Sequence, residues 1–299
     1  MKNLKLKENE VLVLRDCRPG MTSQNGFQYP TQGMVIAPDW EPSYKCGHGL
    51  HGFLWGEGVS GYFISNNTLG QKFLVLKVSK EDLIHGEGDL IDKCKFRKGR
   101  VVLVTEDVYE ATDIISRYAP AESRIMYRRQ VTELSNRNQV AGDSSTQKAG
   151  DMSTQKAGDM STQKAGDSST QKAGDMSTQK AGNQSTQTAG WGSTQKAGYM
   201  STQTAGDKST QTAGNQSTQT AGNESTQTAG WGSTQKAGWE STQKAGDMST
   251  QTAGINAVQI CRWYNFQKGM SQVTTRTITE KEAGKPYFFE QGVWTVVQK

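Results

Sequence analysis

The chain has 299 residues, enough for two ordinary domains, yet only 33% are hydrophobic and 33 are glycine, so the apolar deficit must be concentrated in one part of it. The formal charge of +5 is too mild to mark a polyanion-binding protein, and residues 143–254 contribute none of it, since nine lysines there balance nine acidic groups. No run reaches the roughly 18 apolar residues of a membrane helix, and the opening MKNLKLKENEVLVL puts charge through what would have to be a signal-peptide core.

Composition shifts abruptly near Ala141 and again near Ile255, dividing the chain into residues 1–140, 141–254 and 255–299. The first part reads as a small α/β domain. Aliphatic runs at 11–14, 73–78 and 101–104 predict strands, and the spacing of Val108, Ala111, Ile114 and Ile115 predicts a helix over 108–118. Asp107 opens that helix, Glu110 three residues on completes a capping box, and Pro120 stops it. Residues 40–61, rich in Gly and Trp, are expected to be loops folded onto the domain.

That loop stretch holds the candidate chemistry. Cys46, His48 and His51 form a C-x-H-x-x-H cluster that can supply three zinc ligands, with Cys17 or Glu57 as a fourth. No second ligand pair of recognisable spacing follows, so the chain is read without a cofactor. Cys46 beside His48 or His51 also has the composition of a nucleophile and its base, but no acid is placed to orient the imidazole. Lys93, Lys95, Arg97, Lys98 and Arg100, with Arg124, Arg128 and Arg129, offer a basic patch. Charged flanks of strands are usually just solvated, and nucleic acid is not the expected partner. The four cysteines, Cys17, Cys46, Cys94 and Cys261, are too few and too widely spaced for a disulfide framework, which suggests reduced thiols in a cytoplasm. The segments Asn25-Gly26-Phe27, Ala37-Pro38-Asp39-Trp40 and Cys46-Gly47-His48-Gly49-Leu50-His51-Gly52 resemble an uncharacterised domain of phage and bacterial proteins. That resemblance carries no activity with it.

Residues 143–254 are fourteen copies of x-x-Ser-Thr-Gln-(Lys/Thr)-Ala-Gly, with Ser, Thr, Gln, Ala and Gly unchanged in every copy. Such regularity implies one stacked unit, whereas a flexible linker has no need of Gln at every eighth position. Side chains alternate faces along a strand, so Thr and the Lys/Thr position share one face and Ser, Gln and Ala the other. Burying an unpaired ammonium costs several kcal/mol. The face of Lys148, Lys156 and Lys164 is therefore solvated, and the interior must be Ser, Gln and Ala. So polar a core is stable only if identical side chains stack in hydrogen-bonded ladders about 4.8 Å apart, as expected for Ser153, Gln155, Ser161, Gln163, Ser185, Gln187, Ser201 and Gln203. Gly and the two variable residues make the corner. Two octapeptides then close a coil of sixteen residues, and fourteen make about seven coils.

The strings Ala189-Gly190-Trp191-Gly192-Ser193-Thr194-Gln195 and Thr202-Gln203-Thr204-Ala205-Gly206 resemble the repeats of bacterial ice nucleation proteins. The resemblance implies Thr-x-Thr rows that order water, here Thr186/Thr188, Thr202/Thr204, Thr210/Thr212, Thr218/Thr220, Thr226/Thr228 and Thr250/Thr252. It also implies an aromatic ladder used in pairing, to which only Trp191, Tyr199, Trp231 and Trp239 correspond, and a water or ice surface as partner. Lys replaces the second Thr in eight units, a substitution that resembles the family's C-terminal coils, which are tied to assembly. The segment from Ile255, with Trp263, Tyr264, Phe266, Tyr287, Phe288, Phe289 and Trp294, is expected to be a β-rich cap over the open solenoid end. The whole therefore reads as mainly β: a solenoid of sixteen-residue coils between a small α/β domain and a β cap, non-enzymatic, serving water ordering or self-assembly with weak ice nucleation. A binding or metal-holding N-terminal domain on a solenoid spacer is the alternative.

Overall fold

The computed structural model describes residues 4–58 and 69–297, so the last part of the glycine-rich stretch at 40–61 lies outside the described residues. The described residues form two units: those within 1–129 together with 140–145, and 130–139 together with those within 146–299.

In the first unit, strand Glu10–Cys17 (β1) alternates its apolar side chains with a period of two. Val11 and Val13 enter one core, and Leu12 and Leu14 the other. The other strands are Gly33–Ile36 (β2), Leu50–Leu54 (β3), Lys72–Ser79 (β4), Leu83–His85 (β5), Cys94–Phe96 (β6) and Lys98–Thr105 (β7). They make one antiparallel sheet in the order β2-β7-β4-β1-β3-β6-β5. Helix Val108–Ser116 (α1) covers one face with Ala111, Ile114 and Ile115; Met21, Tyr29 and Ala37, all outside helix and strand, cover the other. With both faces covered, the central strands β1 and β4 are continuous apolar runs, which is why they were visible in the sequence.

Two local expectations are corrected. Leu50–Leu54 is a strand rather than a loop, paired with β1 through Val13 and Leu14. Its Gly52 hides it from a propensity reading, yet a Cβ there would stand 2.5 Å from Val13 Cγ1 and 2.7 Å from the Leu14 carbonyl, so the glycine permits the pairing. The capping box is also rearranged. Asp107 accepts the Tyr109 N–H at 2.8 Å, while Glu110 takes the Thr105 hydroxyl at 2.6 Å and Thr105 Oγ1 accepts the Asp107 N–H at 3.1 Å. Thr105 thus stands between the Glu110 carboxylate and the Asp107 N–H, which the expected box would join directly.

In the second unit each octapeptide gives one short Thr-Gln-(Lys/Thr) strand, and successive strands fall alternately into two ten-stranded sheets. Pairing is parallel and joins residues sixteen apart, as in Thr186↔Thr202 and Gln187↔Gln203 in one sheet and Thr194↔Thr210 in the other. The sixteen-residue coil is therefore observed in register. The second residue of each octapeptide bends the corner with a left-handed backbone, φ 53° at Met152 and 52° at Glu224, and only Gly192 and Gly232 use glycine there. The strain, on the order of 1 kcal/mol for a residue with a Cβ, aims the N–H at the next coil: Met152 N–H donates to the Asp167 carbonyl at 2.9 Å. The closing glycine has a different cause. A Cβ on Gly206 would lie 2.9 Å from Trp191 N, so coils can approach this closely only without one.

The cap turns parallel pairing into antiparallel. Val258–Asn265 continues one sheet beside Thr242–Gly246, and Met270–Thr277 then runs back along it. On the other sheet Tyr287–Glu290 pairs antiparallel with Ser249–Thr252, and Val293–Val296 follows. Cys261, Phe289, Trp263 and Trp294 make its small apolar centre beside Ala245, and the Arg276 guanidinium stacks 3.7 Å from the Tyr287 ring.

Candidate functional site: the threonine and lysine columns

The interior fixes the surface. Each repeat Gln is fully buried, so both amide protons need acceptors. Gln195 Nε2 donates to Gln179 Oε1 one coil back at 2.8 Å and to the Thr204 carbonyl in the opposite sheet at 3.0 Å, and its Oε1 accepts from Gln211 at 2.9 Å. The same pattern recurs at Gln155, Gln163, Gln187 and Gln203, so the ladder is both a stack along the axis and a tie between the sheets. The serines behave otherwise than expected. Ser169 Oγ accepts the backbone N–H of Ser153 at 3.2 Å and donates to the Asp167 carbonyl at 3.2 Å, so the hydroxyl bonds to the backbone of its copy rather than to the copy's hydroxyl. Ser161, Ser185 and Ser201 are held in the same way.

Three contributors escaped the sequence reading. Gln130 and Gln139 begin the two ladders, accepting from Gln147 at 2.9 Å and Gln155 at 2.8 Å. The string Gln139-Val140-Ala141-Gly142, which repeats the end of the octapeptide, was the available signal; around Gln130 nothing matches. Acidic and amide groups at the first variable position form an outer ladder as well, with Asp151 Oδ1 accepting the Asp167 N–H at 2.9 Å. The matching ladder on the other edge runs from Asp159 through Asp175 to Trp191 N–H and stops, because an indole offers no acceptor to the next coil.

On the outside, the first Thr of each unit builds an unbroken column on both faces. The second column is mixed. One face reads Lys148, Lys164, Lys180, Lys196, Thr212, Thr228, Lys244 and the other Lys156, Lys172, Thr188, Thr204, Thr220, Lys236, Thr252. Thr186/Thr188, Thr202/Thr204 and Thr218/Thr220 are thus contiguous on one face, and Thr210/Thr212 and Thr226/Thr228 on the other. The coil of Lys236 separates Thr250/Thr252 from the first group. Trp191 and Trp239 stand 48 residues or three coils apart on one edge, and Tyr199 and Trp231, 32 residues or two coils apart, stand on the other. All four are 43–45% exposed.

In the N-terminal unit the proposed zinc cluster comes apart. Cys46 Sγ lies 3.9 Å from His51 Nε2, but His48 Nδ1 turns to Asp39 at 3.6 Å. Cys17 is buried in the sheet core, Glu57 forms an isolated bridge with Ile125, and among the described residues no group of three or more His, Cys, Asp or Glu side chains is placed to hold a metal. The basic set is dispersed as well. Lys95 is fully buried and donates to the Lys45 carbonyl at 2.9 Å, Lys98 pairs with Asp82 at 3.4 Å, and Arg128 donates to the Val140 carbonyl at 2.9 Å. Among the described residues no helix is long and apolar enough to cross a membrane, which says nothing of strands.

Burial, reinforced by Lys93, Arg15 and Lys95, pushes His51 from 6.5 down to about 4. Between those values the unfolded chain binds a proton that the folded chain refuses. Stability is therefore lost as pH falls through that window and levels off below it. Urea unfolding at pH 7 and near pH 4.5 should differ by about 2 kcal/mol from this group after solvent screening, and His51→Gln should remove that part. The same pH dependence in both proteins would show that another group carries it.

Fold and surface together define a β-solenoid with amide ladders inside and threonine and lysine columns outside. The model of the ice nucleation protein repeat matches two copies over residues 214–242, so the repeat region matches the ice nucleation family. Over 99 residues, 33% of this chain, the sequence is 38% identical to an ice nucleation protein of Pseudomonas fluorescens, and over 96 residues, 32% of the chain, 50% identical to one of Xanthomonas campestris pv. translucens. Over 115 residues, 38% of the chain, it is 32% identical to one of Pseudomonas syringae. The matched segments span only 8%, 6% and 10% of those relatives. No solved structure matches the chain.

Proposed function

We propose that the array is a non-enzymatic, cytoplasmic scaffold that orders water on its threonine columns, nucleating ice weakly, and that associates side by side through its aromatic edges. The observation that carries this reading is the register: Thr186, Thr202 and Thr218, with Thr188, Thr204 and Thr220 beside them, stand at one-coil intervals on a parallel sheet. Hydroxyls and methyls held at a fixed spacing of about 4.8 Å are a regular lattice for first-shell water. Lysine breaks that lattice, because its ammonium is strongly hydrated and its stem mobile. The test is droplet freezing of the chain beside a variant whose column lysines are threonine. The variant should freeze at the higher temperature, and equal freezing of two folded proteins counts against water ordering.

A further inference from the structure

We propose that Cys46, held against Lys93 and His51, is a modification site at which the N-terminal unit takes up small, carboxylate-bearing disulfides as a mixed disulfide. This inference does not depend on the solenoid's role.

The four cysteines divide sharply. Cys17, Cys94 and Cys261 are fully buried, and burial pushes their thiols up to about 11, 12 and 12. They are shielded from reagents and slow to form the reactive thiolate. Cys46 alone is exposed. It sits between β2 and β3 on a loop pinned from two sides: its own N–H donates to Asp89 Oδ2 at 3.0 Å, and the buried Lys95 ammonium holds the Lys45 carbonyl and, at 3.3 Å, Ser43 Oγ.

Lys93 is the nearest cation. Its ammonium lies 3.2 Å from Cys46 Sγ, closer than the His51 imidazole at 3.9 Å. The usual partner of an activated cysteine is an imidazolium. Here Lys93, Lys95 and Arg15 all act on His51, and with its burial they keep the ring neutral near pH 7. The positive charge beside the sulfur is therefore the lysine's. Lys93, in contact with the sulfur, also attracts an incoming carboxylate, and the Asp89 carboxylate opposing it is already engaged by the Cys46 N–H.

The exchange is balanced without a further reactant. The Cys46 thiolate attacks one sulfur of the disulfide, the S–S bond of the reagent breaks as the new one forms, and the second half leaves as a thiolate that takes a proton from water. Cys46 is oxidised, the departing half is reduced, and an added thiol reverses the step.

The full-length chain is exposed in its native state to oxidised glutathione, which carries carboxylates, and to cystamine, which is cationic, and the adduct is followed by intact mass and peptide mapping. One adduct should form, at Cys46, with the glutathione disulfide favoured once rates are normalised to an unstructured cysteine peptide. Lys93→Met should slow that reaction about tenfold and abolish the preference, Lys93→Arg should keep both, and His51→Gln should change the rate by less than about threefold. Lys93 is half-buried, so both Lys93 variants are first checked for native circular dichroism. An unmodified chain, equal normalised rates with the two disulfides, or a folded Lys93→Met protein that reacts like the parent overturns the proposal.

Discussion

Replacing Gln195 with Leu should destabilise the array by about 3–5 kcal/mol, although Leu fills nearly the same space. The substitution removes three hydrogen bonds from a fully buried site. Gln179 Oε1 and one Gln211 amide proton lose their partners in a dry interior, each at a cost of about 1–3 kcal/mol. The Thr204 carbonyl suffers less, because it still accepts the Ala189 N–H at 3.0 Å. Since a solenoid contacts itself only through neighbouring coils, damage at its middle also weakens the cooperation between the two halves. Guanidinium unfolding followed by far-ultraviolet circular dichroism should show a lower midpoint and a broadened or split transition. An unchanged single transition would mean that backbone pairing, and not the amide ladder, holds the coils.

The second large effect follows from the lysine columns. With Lys148, Lys156, Lys164, Lys172, Lys180, Lys196, Lys236 and Lys244 replaced by Thr, both double rows would run unbroken through seven coils. Three coils at about 4.8 Å give a double row about 10 Å long, and seven give one about 30 Å long. A longer template holds a larger ordered cluster, and a larger cluster survives at weaker supercooling, so droplets should freeze several degrees warmer than with the parent. The substitutions also relieve the stacked like charges of Lys164, Lys180 and Lys196, so the variant should be no less stable than the parent. Freezing at the parent's temperature, with the fold intact, would leave assembly as the remaining use of the columns.

Much of this architecture was legible because the repeat is a sequence signal of unusual strength. Invariant Ser, Gln and Ala on one side of each strand, opposite Lys, left only one direction for the interior, and the observed burial of Gln155 and exposure of Lys156 follow from it. What could not be read were partnerships made across the chain. Gln130 lies nine residues from Gln139, a spacing that breaks the octapeptide count, and only the coil geometry reveals it as a rung. Gly52 concealed β3 because the glycine answers to the Leu14 backbone of a distant strand. Cys46, His48 and His51 looked like one cluster on spacing alone; the loop instead sends His48 to Asp39 and brings Lys93, 47 residues away, to the sulfur.

The proposed functions of the array rest on coils of sixteen residues in register, and distance measurement between paired nitroxide labels tests that most directly. In a Cys46→Ser background, labels at Thr202→Cys and Thr218→Cys should be one coil apart, with backbones about 5 Å apart, and their spectra strongly broadened by spin coupling. Labels at Thr202→Cys and Thr210→Cys, only eight residues apart, should lie on opposite faces, separated by more than the about 10 Å between packed sheets, and show little broadening. Stronger coupling in the eight-residue pair, or sharp uncoupled spectra in both, would contradict the account.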